Sequence, residues 1–132
     1  MIKEMLLVKE RINGPEAKCF NEKYYGNCFS GNFLLQYEEE SCTYCISQGQ
    51  IVSAAPRALL DGCDAGVKGT AQAWKDFVEK EKKSLSYATS FPVGEALTLI
   101  GKPVRVRQCF GALACVCRVF GDIIEEGEKV SG

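Results

Sequence analysis

Hydrophobic and polar residues alternate in two stretches of the chain, and each stretch predicts a β-strand. Phe33, Leu35 and Tyr37 are separated by single residues, which is the period of a strand with one buried face. The segment 104–107 reads Val-Arg-Val-Arg and alternates in the same way. A strand is also predicted over 96–100, because that segment is rich in apolar residues.

A C-terminal hairpin follows from the second alternating stretch. The apolar segment 113–120 is long enough to pair with 104–107, and Gly111-Ala112 supplies a candidate turn between them. Together with the strand near 96–100, these segments predict an antiparallel hairpin region over about 97–120.

The clearest helix signal lies in the middle of the chain. Thr70 is a suitable N-cap, and Trp74, Phe77 and Val78 form one apolar face at helical spacing. Lysines crowd the end of the segment, where they complement the helix dipole. The pattern predicts a helix over about 70–84, whereas residues 2–12 fit a helix face or a buried strand equally well.

These elements predict an α+β fold in a single domain, 1–132. An antiparallel sheet built on the C-terminal hairpin (about 97–120) would pack against one main helix (about 70–84). The N-terminal segment 13–32 has repeated turn signals and is expected to be irregular, and it contains cysteines.

Composition and charge narrow the functional classes. The chain has 132 residues, of which 46% are hydrophobic and 25% charged, and its net charge is −1. This balance argues against a nucleic-acid or anionic-membrane binder, whereas a protein partner is possible. No apolar run approaches the length of a membrane span, and charges interrupt the N-terminal apolar stretch too early for a signal peptide. We therefore expect a cytoplasmic protein.

Eight cysteines and no histidine restrict the available chemistry. Ser-His-Asp triads, Cys-His pairs and histidine-ligated zinc are excluded, because each needs an imidazole. Thiol chemistry, carboxylate chemistry and simple packing remain. In the cytoplasm, thiols are normally reduced, metal-bound or catalytic rather than paired in disulfides.

Four cysteines form the candidate metal site. Cys42 and Cys45 have the C-x-x-C spacing that lets two thiolates reach one ion, and Cys19 and Cys28 lie upstream in the irregular segment. Four thiolates could hold zinc or an iron–sulfur cluster. The leading hypothesis is a non-enzymatic, thiolate metal-binding protein that acts as a binding or adaptor domain. Packing of these cysteines as small apolar residues is the simpler alternative, and Cys19 with Cys28 could instead form a disulfide in an oxidising setting.

A redox enzyme is the second hypothesis, and it would use Cys42 and Cys45 as a dithiol. An attacking thiol needs a lowered pKa, whereas the acidic run 38–40 immediately upstream would raise it. The sequence therefore favours metal binding over redox catalysis and leaves open whether the protein is an enzyme.

The predicted hairpin also assigns orientations to side chains. Cys115 and Cys117 would share its apolar face as core residues, and Cys109 would point to the opposite face. Arg105, Arg107 and Arg118 would share the outer face, where they could bind an anion or a partner, although the solvated face of an antiparallel sheet is the more ordinary explanation.

Overall fold

A five-stranded sheet forms the centre of the protein. The computed structural model describes residues 2–13, 31–47, 50–56, 64–80, 83–90 and 94–131. The strands are β1 (Gly31–Tyr37), β2 (Glu40–Ser47), β3 (Gln50–Ala55), β4 (Ala65–Gly69) and β5 (Thr98–Gly101). The helices are α1 (Ile2–Asn13), α2 (Ala71–Glu79), α3 (Leu85–Ser90) and α4 (Pro103–Ser131).

The strand order is β3-β2-β1-β4-β5, which makes the sheet mixed. β1 runs parallel to β4, and the other neighbouring pairs are antiparallel. The α+β class is confirmed. The expectation of a purely antiparallel sheet is wrong, because the chain crosses over between β3 and β4 and returns beside β1 in the parallel sense.

The predicted strand at Phe33, Leu35 and Tyr37 is confirmed as β1, although burial does not alternate along it, because Leu34 is also buried, on the opposite face. Phe33 lies opposite Tyr44 of β2, Leu35 lies opposite Cys42, and all four side chains are buried. They belong to one apolar cluster with buried residues of all four helices. The core therefore lies between this face of the sheet and the helices.

The ambiguous segment at the start of the chain is helix α1. Met5, Val8 and Ile12 are fully buried at the spacing of one helix face. The hydroxyl of Tyr44 donates a hydrogen bond to the carbonyl oxygen of Met5 at 2.6 Å. The Asn13 side chain exchanges two hydrogen bonds with the backbone of Ile51, which ties the end of α1 to β3.

The predicted helix over about 70–84 is confirmed in type and is shorter than expected. The Thr70 hydroxyl accepts a hydrogen bond from the Ala73 N–H at 3.1 Å, so its N-cap role is confirmed. α2 ends at Glu79, and Lys83 has a positive φ of 61°, which is incompatible with a continuing helix. The Trp74 ring makes an edge contact with Phe120 of α4 at 5.0 Å between ring centroids.

The prediction of a C-terminal hairpin is wrong, because residues 103–131 form the long helix α4. Within the segment about 97–120, only β5 is a strand. Four alternating residues fit a strand and a helix alike, but the longer pattern has the helical period. Nine buried apolar positions of α4 recur at intervals of three and four, and Cys115 is buried as well; the nine are Val106, Cys109, Ala112, Leu113, Val116, Cys117, Phe120, Ile123 and Ile124. Pro103 at the first helical position agrees with this pattern.

The helix changes the orientations expected for three cysteines. Cys109, Cys115 and Cys117 are all buried, so Cys109 does not point away from the core as predicted. Residues two apart lie on opposite sides of a helix, so Cys115 and Cys117 do not share a face. Cys117 is a free thiol, whereas Cys115 is bonded in a disulfide whose partner is none of the four free cysteines 42, 45, 109 and 117.

Candidate functional site

A groove of about 730 Å³ lies between the end of α3, strand β5 and the first two turns of α4. Its lining is largely apolar, and Arg107 carries the charge among the lining residues that the structure describes. Those residues are Ser90, Leu99, Gly101, Pro103, Val106, Arg107 and Phe110. A largely apolar concavity of this size with few polar groups is typical of small-molecule sites.

The strand side of the groove is formed by β5, at one edge of the sheet. Leu99 pairs with Val67 of β4, and the Val67 side chain is buried in the core beneath the helices. Leu99 therefore points to the same face, yet it is 36% exposed, because the groove lies above it. Gly101 ends the strand with φ of +119°, a conformation that favours glycine and that turns the chain toward α4.

An ion pair fixes the helix side of the groove. Arg105 Nε lies 3.2 Å from Asp64 Oδ1, at the start of β4. The other oxygen of Asp64 accepts a hydrogen bond from the Asn32 N–H at 2.8 Å. These contacts hold the first turn of α4 against the sheet and keep Val106 and Arg107 on the groove side.

A kink at Cys109 interrupts α4 beside the groove. The φ and ψ of Cys109 are −111° and 15°, outside helical values. Its thiol donates a hydrogen bond to the Arg105 carbonyl oxygen at 3.0 Å. Burial raises the pKa of this thiol, and the positive charge of Arg105 opposes that effect in part. The thiol is thus a structural group at the bend.

A second, smaller cavity of about 270 Å³ lies where the parallel strands β1 and β4 end. Its described lining includes three charged residues, Glu38, Lys68 and Glu95. The Glu38 carboxylate accepts a hydrogen bond from the Ala71 N–H at 2.7 Å and so satisfies the start of α2. Glu38 therefore has a structural role in helix capping.

The predicted thiolate ligands are not brought together within the described chain. Cys42 is buried opposite Leu35 on the core face of β2, whereas Cys45 is half-buried opposite Asn32 on the other face. Cys19 and Cys28 lie outside the described residues. Over the parts of the chain that the structure describes, no group of three or more His, Cys, Asp or Glu side chains is arranged to hold a metal ion. The four-thiolate zinc or iron–sulfur site stays a prediction.

The environment of Cys42 bears on the redox hypothesis. Burial raises the pKa of the Cys42 thiol, and a hydrogen bond with Tyr44 opposes that effect in part. A redox nucleophile needs the opposite shift, and its partner thiol must lie within bonding distance. Because strand geometry directs Cys42 and Cys45 to opposite faces, β2 would have to distort locally before they could form a disulfide.

The three predicted arginines lie on α4 rather than on a sheet. Arg105 is committed to Asp64, Arg107 is exposed at the groove, and Arg118 is exposed beyond the kink. Positions 105 and 107 differ by about 200° around a helix, so they do not form one face. The structure therefore brings Arg107 alone of the three to the candidate site.

Sequence reasoning missed the apolar residues of the groove, namely Leu99, Pro103, Val106 and Phe110. The helical period from Val106 to Ile124, together with the proline at position 103, was the signal for α4. The partial exposure of Leu99 had no local signal, because it depends on the gap left between α3 and α4.

Comparisons with known proteins support the fold. No protein-family model matches the sequence, and no curated protein matches it. The solution structure of a conserved hypothetical protein from Thermus thermophilus, described as "possibly sterol carrier protein", is similar with a TM-score of 0.63. The alignment covers 92% of this chain and 86% of that protein at 13% identity, a likeness of fold alone. Within the described ranges, no helix has both the length and the hydropathy needed to cross a membrane.

Proposed function

We propose that the protein is a non-enzymatic binder of an elongated, largely apolar small molecule, held in the groove between α3, β5 and α4. The observation that carries the proposal is the groove itself, a space of about 730 Å³ over a partly exposed Leu99. An apolar ligand there would remove Leu99 and Phe110 from water, which contributes about 25 cal/mol per Å² of apolar surface buried.

The electrostatics of the groove favour an amphiphile with an acidic head group. Arg107 lies beside the apolar lining, and its guanidinium can pair with a carboxylate or phosphate. Leu99, Val106 and Phe110 would contact the apolar part of the same molecule. A fatty acid or a similar lipid has this chemistry. The structural neighbour described as "possibly sterol carrier protein" is consistent with an apolar cargo.

Fluorescence titration with dansylamino-undecanoic acid tests the proposal. We expect saturable binding with a blue shift of the dansyl emission, since the groove is less polar than water. Leu99→Glu should weaken binding at least tenfold, because it adds a carboxylate to the apolar lining.

The matched control for Leu99→Glu is Leu6→Glu. Leu6 is exposed to a similar extent, 39% against 36%, but lies on α1 away from the groove. The control should bind like the unchanged protein. Absence of saturable binding, or equal loss in both variants, would contradict the proposed function.

The role of Arg107 is tested with a charged and an uncharged probe. Arg107→Gln should weaken binding of dansylamino-undecanoic acid roughly ten- to 150-fold, the range expected for one charge-assisted contact. Binding of the neutral probe N-phenyl-1-naphthylamine should change less than twofold. Equal effects on both probes would show that Arg107 does not recognise the acid group.

We propose that the protein acts in the cytoplasm. Cys42, Cys45, Cys109 and Cys117 are free thiols, as is normal in a reducing compartment. The disulfide at Cys115 argues in the other direction, since disulfides persist mainly in oxidising compartments. Fluorescence microscopy of a tagged protein in its native cell tests the location.

A further inference from the structure

The distribution of charge along the chain is uneven around the groove. Residues 96–121 contain four cations, Lys102, Arg105, Arg107 and Arg118, and no Asp or Glu. The rest of the chain contains twelve cations and seventeen acidic residues. The net charge of −1 therefore conceals a basic region that includes β5 and the first half of α4.

The rim of the groove, which we define as Lys102, Pro103, Val104 and Arg107, combines basic and apolar side chains. All four are exposed, and Val104 is 70% exposed, the highest value among the large exposed hydrophobic residues of the described chain. Val104 and Arg107 are three residues apart on α4, so they lie on one side of the helix.

This arrangement is unfavourable for the isolated protein. The N-terminus of a helix carries a partial positive charge and favours acidic residues nearby, but the first turn of α4 contains none. Lys102 and Arg107 instead place further positive charge there, and Val104 leaves apolar surface in water. An anionic surface with an apolar interior would compensate for both features at once.

We propose that the groove rim docks on the surface of an anionic lipid bilayer. Lys102 and Arg107 would pair with lipid phosphate and carboxylate groups, while Val104 and Pro103 would enter the boundary between head groups and acyl chains. Each cation near such a surface contributes an attraction worth roughly a fivefold change in partitioning. Arg105 contributes less, because Asp64 already neutralises it.

A bilayer fits this surface better than a protein partner does. The exposed apolar area at the rim is small, centred on Val104, whereas stable protein interfaces need about 800 Å² on each side. A charged bilayer can bind such a patch weakly and reversibly, because electrostatic attraction supplements a single inserted side chain. Docking would also bring the open groove to the source of an acyl-chain ligand, a consequence that rests on the proposed function.

Vesicle co-sedimentation with the full chain tests the docking. Vesicles of two parts phosphatidylcholine to one part phosphatidylserine should sediment the protein, and pure phosphatidylcholine vesicles should sediment much less. High potassium chloride should release the protein, since salt screens exposed charges. Equal sedimentation with both vesicle types, or none with either, would overturn the proposal. Binding of this surface to a protein partner without any binding to anionic vesicles would overturn it as well.

Two substitutions outside the groove lining isolate the rim. Lys102→Gln should lower the partition coefficient on anionic vesicles roughly fivefold. Val104→Asp should lower it roughly tenfold, because it removes the inserted side chain and adds a negative charge. An aspartate in the first turn of α4 should also preserve the fold, since it complements the helix dipole.

Lys75→Gln and Val52→Asp are the matched controls. Lys75 is exposed on α2, and Val52 is 54% exposed on β3, away from the groove. Both should partition like the unchanged protein; equal losses in the rim and control variants would overturn the assignment of the surface.

Fluorescent-probe binding without vesicles keeps the two proposals distinguishable. Val104→Asp should bind the neutral probe N-phenyl-1-naphthylamine normally while docking poorly. The neutral probe is used because an aspartate three residues from Arg107 can pair with its guanidinium and compete with an acidic probe. A protein that binds anionic vesicles through the rim but never binds the probe would contradict the ligand proposal and leave the docking proposal standing.

Discussion

Burial divides the free cysteines of the described chain into two chemical groups. Cys42, Cys109 and Cys117 are buried, and burial raises the pKa of each thiol. Cys45 is half-buried on the opposite face of β2 from Cys42. The thiolate is the reactive form of cysteine, so this environment makes the three buried thiols poor nucleophiles.

Thiol labelling should follow that division. In the native protein, iodoacetamide at neutral pH should modify Cys45 well before Cys42, Cys109 or Cys117, and unfolding in urea should equalise the four. Peptide mass spectrometry after timed quenching measures each rate. Rapid labelling of Cys42 below pH 7 would instead support the redox hypothesis, because it requires a lowered pKa.

Asp76 is a charged side chain with a structural role. The N–H of Glu95 donates to one carboxylate oxygen at 2.9 Å, and the amide of Gln72 donates to the other at 2.9 Å. The hydrogen bond from the Glu95 backbone, with further contributions from Gln72 and Lys80, lowers the pKa of Asp76, and partial desolvation opposes the shift. The charged form therefore connects α2 to the segment that precedes β5.

The pH dependence of stability should reveal this carboxylate. A lowered pKa in the folded state stabilises the protein above the ordinary value of about 3.9, and the contribution is lost as the pH falls through the folded pKa. Thermal melting between pH 6 and pH 2 should show a smaller acid-induced loss for Asp76→Asn than for the unchanged protein. Glu79→Gln, an exposed change on the same helix, should keep the original profile.

Among the elements, α4 shows that a helical pattern sustained over many residues predicts structure better than an alternation over four residues. The alternating valines 104 and 106 indicate a strand, but nine buried positions from Val106 to Ile124 have helical spacing. Once these residues form a helix, they bury a continuous apolar stripe against the sheet and α2. A hairpin over the same residues would have left part of this set exposed.

Two glycines with different surroundings should respond oppositely to alanine. A Cβ at Gly127 of α4 would meet nothing within 4 Å, so Gly127→Ala should stabilise the protein by about 0.5–1 kcal/mol through helix propensity. A Cβ at Gly66 of β4 would lie 2.6 Å from the Leu34 carbonyl oxygen, so Gly66→Ala should destabilise it by about 1–3 kcal/mol. Urea unfolding midpoints measure both; a destabilised Gly127→Ala would contradict the exposed-helix assignment.

At the scale of the whole molecule, metal content tests the four-thiolate hypothesis. Protein purified without oxygen should contain close to one equivalent of zinc or one iron–sulfur cluster if Cys19, Cys28, Cys42 and Cys45 form a structural site. Elemental analysis below roughly a tenth of an equivalent would exclude such a site. Because Cys42 and Cys45 lie on opposite faces of β2, loading should also alter the strand, which the amide exchange of residues 42–46 would report.

Intact mass tests the disulfide at Cys115. Unreduced protein should be lighter than reduced protein by two hydrogens for each bridge, and peptide mapping should recover Cys115 in a linked pair. Equal masses would contradict the disulfide and would mean that Cys115 is reduced. A bridge that persists in protein isolated from its native cell under alkylating conditions would favour an oxidising compartment or a thermophilic source.

Local patterns in the sequence determine several elements of this fold. The α+β class, strand β1 and helix α2 with its Thr70 cap follow from short-range periodicity and capping chemistry, because neighbouring residues alone decide them. The absence of histidine excludes imidazole mechanisms in any fold.

Tertiary structure decided the rest, because it depends on which distant segments meet. The parallel pairing of β1 with β4 requires a crossover that no local pattern specifies. The C-x-x-C spacing has a different meaning on a strand, where Cys42 and Cys45 diverge, than on a loop, where they could chelate one ion. The groove exists only because α3, β5 and α4 leave a gap above Leu99. Because an arginine and several apolar residues line this gap, it is a candidate lipid site.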